Sequence, residues 1–289
     1  MGISSNSSLV ANSSLMKLTD WNPLFDRLSP AFEPFKPLTE AISSVKNWPT
    51  CLDLESLKHQ TDNDLVTHSG MPVRFVPQEN AASNDFAQPY ETRIYLTGMV
   101  ATRSENWHDF FNALVWMTFP NAKAALNYIH YQALVHAFQR KTEGRGTLRD
   151  AATLFDESGV VVLSSQSHLI ELLRQHEWKD VFWRERETVL KSMRFIVFGH
   201  ALYEKALNPY LGMTGKGVFF QVKALFFRRP LTEQLHAIDQ WLADFLLQKL
   251  SVTADLSPIP LLGYPGWFDG NGFSEFYDNP QYFRSRSKK

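Results

Sequence analysis

Four polar side chains with catalytic or metal-binding chemistry recur three and four residues apart near the middle of the chain: Glu105, His108, Asp109 and Asn112. Residues at this spacing project from one face of a helix. Imidazole and carboxylate groups bind divalent ions, and amides bind substrate oxygens. The opposite face is apolar, so a helix with a solvated polar face is the alternative interpretation.

A second polar row follows, in which Lys123, Asn127 and His130 are again four and three residues apart. If the two predicted helices fold back on each other across Phe119-Pro120, both polar rows face a common pocket. This row could equally face solvent, as on an ordinary amphipathic helix.

A third candidate is His200 with Glu204, one helical turn apart and in line with apolar residues. An ionisable group on an apolar side should be paired, and a carboxylate one turn away can orient an imidazole for metal binding or proton transfer. A buried structural pair explains the same pattern. Gly199 lowers helix propensity beside them, so we expect another backbone or a ligand to pack closely there.

Two further charged pairs lie around a predicted hairpin. Arg149 and Asp150 precede its first arm, where they could pair or complete an anion site and a metal site respectively. Asp156 and Glu157 lie at its predicted turn, where Asp commonly makes local backbone hydrogen bonds. A role in the turn alone is the alternative for these two acids.

The composition indicates a soluble globular protein and excludes several classes. The chain has 289 residues, 44% of them apolar, with a net charge of −1, so its surface is not built to neutralise many phosphates. Cys51 is the single cysteine, which excludes an intramolecular disulfide and fits a reducing, cytoplasmic compartment. The apolar stretches are too short for a membrane span. Phosphate-loop, dinucleotide and nucleophile-elbow motifs are missing.

The hydrophobic pattern predicts an α+β fold that is predominantly helical, with a few short antiparallel strands or hairpins. Residues 1–16 are expected to form a disordered leader, and residues 17–289 a single globular domain. The predicted strands are Val73–Val76, Tyr90–Thr97, Ala152–Phe155 and Val160–Leu163, with a polar loop from Gln78 to Gln88. The predicted helices start near Thr102, Asn121, Gln166, Trp178 and Leu231 and end near Thr118, Arg140, His176, Ala206 and Leu250. Thr102 with Glu105 and, separately, Asn121 are the predicted caps.

Three groups of residues resemble an uncharacterised bacterial family known mainly from proteobacteria. The groups are Trp107-His108-Asp109 with Asn112-Ala113-Leu114-Val115-Trp116, Arg149-Asp150-Ala151, and Gly199-His200 with Glu204. The resemblance covers about residues 70–284. No reaction is assigned to that family, so the resemblance implies that these positions belong together without implying a mechanism.

A shorter likeness concerns the stretch Asn112 to Thr118, which looks like the Asn-Leu-x-Trp-x-Thr segment of homing-type His-metal finger nucleases. In those enzymes the general-base histidine lies much further upstream of the Asn than His108 does here, and the segment is a strand. A nuclease is therefore a minority alternative, and nucleic acid stays among the candidate partners.

Two main hypotheses follow for function. The first is a metal-assisted hydrolase of a small-molecule, amide or phosphoester substrate. In this hypothesis a divalent ion is the expected cofactor, and its predicted ligands are His108, Asp109, Asp150 and His200. The predicted substrate-binding residues are Asn112, Lys123, Asn127 and Arg149. The predicted proton-transfer residues are His130 and Glu157, with Glu204 orienting His200. The second hypothesis is a non-catalytic binding or scaffold protein whose buried polar network fixes helix packing.

Overall fold

The structure, a computed structural model, describes residues 20–61, 64–78, 89–140 and 146–286. The predicted leader and residues 79–88 of the predicted loop lie outside the described residues. The α-helices of the described chain are α1 (Lys36–Ile42), α2 (Cys51–Lys58), α3 (Tyr90–Thr97), α4 (Trp107–Thr118), α5 (Pro120–Arg140), α6 (Thr147–Ser158), α7 (Ser167–Gln175), α8 (Arg186–Ser192), α9 (His200–Ala206) and α10 (Leu231–Gln248). Its strands are β1 (Arg74–Pro77), β2 (Met99–Thr102), β3 (Gly159–Ser164), β4 (Met193–Val197), β5 (Thr214–Gln221) and β6 (Ser257–Pro260).

The fold class predicted from the sequence is confirmed, since helices dominate and the sheets are small. The larger sheet has the strand order β4-β3-β5-β6, and β1 pairs with β2 separately. β3 is antiparallel to β4 and parallel to β5, so this sheet is mixed rather than built from hairpins. Every residue of β3 is buried, which explains its run of valines. No described helix is long and apolar enough to cross a membrane.

The pairing of β3 with β4 brings two distant parts of the chain together. Val160 of β3 lies opposite Val197 of β4, so the start of one strand adjoins the end of the other. α6 leads directly into β3, and α9 follows β4. The end of α6 and the start of α9 therefore lie side by side at this edge, with α4 packed against α9.

Three secondary-structure predictions were wrong. Tyr90–Thr97 forms helix α3 and not a strand. Its two buried residues, Arg93 and Ile94, are consecutive, whereas a half-buried strand would bury alternate residues. The predicted hairpin is helix α6 followed by β3, and the buried Ala151, Ala152 and Phe155 of α6 follow a helical period. The predicted long helix from Trp178 to Ala206 is interrupted by the largely buried strand β4, which separates helix α8 before it from helix α9 after it.

The two predicted helix caps also differ from the structure. Asn106 caps α4 by accepting a hydrogen bond from the Asp109 amide, while Glu105 has a left-handed backbone (φ 51°) outside the helix. At the start of α5, the carboxylate of Asp239 in α10 accepts hydrogen bonds from the amides of Asn121 and Ala122 and from the Asn121 side chain. Burial raises the pKa of Asp239 to about 6, although the three hydrogen bonds that its carboxylate accepts oppose this shift. A helix cap formed by a residue far away in the sequence cannot be recognised from the residues around the helix start.

Candidate functional site

A polar cavity of about 560 Å³ opens between α3, α4, α6 and α9. This volume is in the range of sites that bind small molecules. Its lining residues are Gln78, Tyr90, Glu91, Arg93, Ala101, Arg103, His108, Asp109, Asn112, His130, Arg149, Thr153, Asp156, Glu157 and His200. The lining is almost wholly polar or charged, which favours a polar ligand.

Two histidines from distant helices meet in this cavity. The Nε2 atoms of His108 in α4 and His200 in α9 lie 3.0 Å apart, and the ring planes are inclined by 81°. The adjacent Gly199 allows the start of α9 to lie against the end of α6, because a Cβ atom there would lie 2.4 Å from the carbonyl oxygen of Glu157. The predicted close packing at Gly199 is thus confirmed, and the neighbour is the backbone at the end of α6.

Each imidazole has a carboxylate on its far side. His108 Nδ1 donates to Glu204 Oε2 at 3.2 Å, whereas His200 Nδ1 lies 3.8 Å from Asp156 Oδ2. Lys123, 5% exposed, donates to the other oxygen of Asp156 at 2.6 Å. Glu204 therefore contacts His108 and not, as predicted, His200. The result is a row of polar groups in the order Glu204, His108, His200, Asp156 and Lys123, in which the distance from His200 Nδ1 to Asp156 is too long for a hydrogen bond.

The two imidazoles have opposite pKa shifts because their surroundings differ. The hydrogen bond to Glu204 raises the pKa of His108 above the ordinary 6.5, and partial burial opposes this shift. Burial lowers the pKa of His200 to about 4, although Asp156 opposes that shift. Burial alone would raise the pKa of Asp156, but Lys123 and His200 hold it below the ordinary value. His108 therefore keeps its proton to a higher pH than His200 does.

The remaining predicted site residues on α4 and α5 are only partly brought to the cavity. Asn112 lines it and donates to the Tyr90 hydroxyl at 3.2 Å. His130 also lines it, one turn from Asn127 on α5. Asn127 is not part of the lining. Its side-chain amide donates to the backbone carbonyl oxygen and to the carboxylate of Glu91. Of the second polar row, therefore, one side chain reaches the cavity.

The acids and arginines at the rim have distinct environments. The carboxylate of Asp109 is bound by the Arg103 guanidinium at 2.9 and 2.8 Å and by the Arg103 backbone amide. Arg149 and Glu157 line the cavity from the two ends of α6. Asp150 is exposed and is not part of the lining. Arg103 and Asp109 thus form an ion pair that the sequence analysis missed.

The four predicted metal ligands are not gathered into one centre. Among the described residues, no group of three or more His, Cys, Asp and Glu side chains is placed to hold a metal ion. Asp109 is bound to Arg103, Asp150 is exposed and outside the cavity lining, and of the four only His108 and His200 contact each other. Metal binding by the predicted set stays a prediction.

Sequence reasoning also missed Asp156, which it interpreted as a turn residue. The spacing of Arg149, Thr153 and Asp156 is four and three residues, the same helical signal as on α4. The nearby valines favoured a strand and concealed this signal. Tyr90 was missed for the same reason, since its segment was predicted as a strand.

The comparisons with known proteins give one match. The family described as "Protein of unknown function (DUF3025)" matches residues 73–287. The chain belongs to the DUF3025 family. No curated protein and no solved structure matches the chain. The DUF3025 region includes every residue that lines the cavity, and its limits agree with the extent of 70–284 expected from the resemblance.

Proposed function

We propose that this DUF3025 protein is a hydrolase in which His108 is the general acid and His200 is the general base. The observation that carries the proposal is the contact of two imidazoles, Nε2 to Nε2 at 3.0 Å, whose surroundings shift their pKa values in opposite directions. Two titratable groups with divergent pKa values in one open cavity are characteristic of an acid and base pair.

The chemistry follows from the protonation states of the pair. The unprotonated Nε2 of His200 takes a proton from a water molecule as the water oxygen attacks the substrate. The protonated Nε2 of His108 gives its proton to the leaving group as the scissile bond breaks. Direct proton transfer across the 3.0 Å contact then returns His200 to its neutral form and His108 to its cationic form.

Water is the nucleophile best supported by the side chains present. The described lining of the cavity contains no serine or cysteine. The hydroxyl of its threonine, Thr153, donates to the carbonyl oxygen of Arg149. Neither imidazole is held against a hydroxyl that it could activate, which distinguishes this cavity from sites of nucleophilic catalysis.

Glu204, Asp156 and Lys123 are positioning residues in this proposal. Glu204 orients His108 and favours its cationic form, while Asp156 faces the Nδ1–H of neutral His200. Lys123 keeps Asp156 ionised through a short, largely buried ion pair. A substitution at any of these positions should act on the imidazoles rather than on the substrate.

The pH profile of hydrolysis tests the proposal through Glu204. Activity requires unprotonated His200 and protonated His108, so it should rise through about pH 4 and fall above His108's raised pKa. Glu204→Gln removes the charge that raises the pKa of His108, so the alkaline limb should move to lower pH while the acid limb stays. The measurement is kcat/KM against pH on chromogenic amides and phosphoesters.

Glu187→Gln is the matched control for this experiment, because Glu187 is an exposed glutamate on α8 paired with Lys191. It should leave both limbs unchanged. An alkaline limb that is identical in the native protein and in Glu204→Gln would contradict the assignment of His108 as the acid.

A further inference from the structure

Most of the contacts between charged side chains in and behind the cavity wall are ion pairs. Arg103 binds Asp109 through two guanidinium nitrogens, and Lys123 binds Asp156 behind the cavity wall. The guanidinium of Arg149 has no ion pair or hydrogen bond within the described part of the chain, and it lines the cavity. Arg149 can therefore bind an anionic group of a ligand, although the cavity as a whole is not strongly positive.

The wall beside His108 has hydrogen-bonding capacity that the protein does not use. Asn112 is 8% exposed and His130 4% exposed, yet Asn112 Oδ1 and His130 Nδ1 have no hydrogen-bond partner in the described structure. A buried acceptor without a partner costs free energy unless a ligand donates to it. Asn112 lies one helical turn after His108 on α4, so the group that it binds adjoins the reacting bond.

These two features distinguish between substrate classes. The oxygens of an ionised phosphodiester or of a dianionic phosphate monoester only accept hydrogen bonds, so they cannot satisfy Asn112 Oδ1. An amide N–H can donate to it. Asp109 and Asp156 are paired with Arg103 and Lys123. Glu91 and Glu157 also line the cavity, and their negative charge disfavours a dianionic phosphate more than a single carboxylate.

Helix α6 sets the direction and the scale of the ligand. Arg149 lies in its first turn, while Asp156 and Glu157 lie in its last, beside the histidine pair. Seven residues separate Arg149 from Asp156 in the numbering, which corresponds to about 10 Å along the helix. A ligand that spans this distance and has its negative group at Arg149 would have its other end near Glu157.

We propose that the substrate is an amide whose acyl chain ends in a carboxylate, with the carboxylate at Arg149 and the amide N–H at Asn112. This inference rests on the proposed hydrolase function. Water forms a bond to the carbonyl carbon and loses a proton to His200. The C–N bond then breaks as the amide nitrogen takes the proton of His108, giving an amine and a second carboxylic acid, which loses its proton to solvent.

The test is calorimetric binding of a ladder of probes to the native protein. The probes are N-methyl monoamides of linear dicarboxylic acids with one to eight methylene groups, together with their methyl esters at the free carboxylate. We expect affinity to peak in the middle of the ladder. The best acid should bind about 10-fold or more tightly than its ester, as expected for a charge-assisted hydrogen bond.

Two variants localise the recognition. Arg149→Gln should abolish the preference for the acid over its ester, whereas Arg228→Gln, at an exposed arginine outside the cavity lining, should retain it. Asn112→Ala should abolish the preference for the amide over the corresponding oxygen ester, which lacks the N–H donor. A circular dichroism melt of each variant confirms that it is folded before binding is compared.

Three results would overturn the inference: equal affinity for acid and ester in the native protein, tighter binding of phenyl phosphate than of any amide, or preferences that survive both substitutions. N-acetyl ω-amino acids carry the same groups in reverse order, and tighter binding of that series would overturn the proposed direction. Release of methylamine, followed by NMR, separates the two proposals. Selective binding without release contradicts the hydrolase alone, and hydrolysis without carboxylate preference contradicts the substrate class alone.

Discussion

Replacing His200 by glutamine is expected to lower kcat about 10²- to 10⁴-fold. Glutamine fills a similar volume and keeps hydrogen-bonding capacity, but it cannot take a proton from water at neutral pH. His108→Gln should give a loss of the same order, because the leaving group then departs without a proton. Steady-state kinetics on the best substrate from the hydrolysis panel provides the measurement. His168→Gln, at an exposed histidine outside the cavity, is the control and should be unaffected.

The same variants separate the enzyme from the scaffold hypothesis. The His108 side chain is about one third exposed, so its substitution should change Tm by less than about 4 °C, roughly 1 kcal/mol for a chain of this size. The scaffold hypothesis predicts a large loss of Tm in both variants and no hydrolysis by the native protein. Elemental analysis of the same samples tests the metal prediction, because a stoichiometric ion lost in both variants would support metal-assisted hydrolysis.

Gly199→Ala is expected to damage both stability and catalysis. A Cβ atom at this position would lie 2.4 Å from the Glu157 carbonyl oxygen and 2.5 Å from the Ser158 nitrogen, and backbone atoms cannot rotate away. We expect the free energy of unfolding to fall by about 1–3 kcal/mol or more. Displacement of α9 moves His200 relative to His108, and a misplacement of about 1 Å can cost about 10²-fold in rate.

Gly272→Ala provides the control for this substitution. Apart from its two chain neighbours, no described residue has an atom within 4 Å of a Cβ built at Gly272, which is exposed. Chemical denaturation and kcat of the two variants should differ clearly. If Gly199→Ala matched Gly272→Ala in both measurements, the close contact between α6 and α9 would not be what sets the position of His200.

The parts of the site that the sequence predicted are those set by local spacing. The polar face of α4 follows from residues three and four apart. His200 and Glu204 lie one turn apart on a helix as predicted, although this helix is the short α9 and not the predicted long one. The propensity cost of Gly199 correctly indicated a close backbone contact. These signals need only the helical period and the properties of single residues.

The parts that could not be predicted depend on contacts between distant segments. Glu204 contacts His108 rather than His200, because α4 packs against α9 and 96 residues separate the partners. Asp156 reaches His200 only because β3 pairs with β4. A short apolar run such as Val160–Leu163 also does not reveal where the preceding helix ends, which explains the wrong hairpin and the misinterpretation of Asp156.

The central claim is that of the two facing imidazoles His108 acts as the acid and His200 as the base. NMR titration of their ring nitrogens tests this claim most directly. The native spectrum is assigned through His108→Gln and His200→Gln. The account predicts that His108 loses its proton above the ordinary pKa of 6.5, whereas His200 stays neutral until the pH approaches about 4. Two imidazoles that both titrate near 6.5 would contradict it.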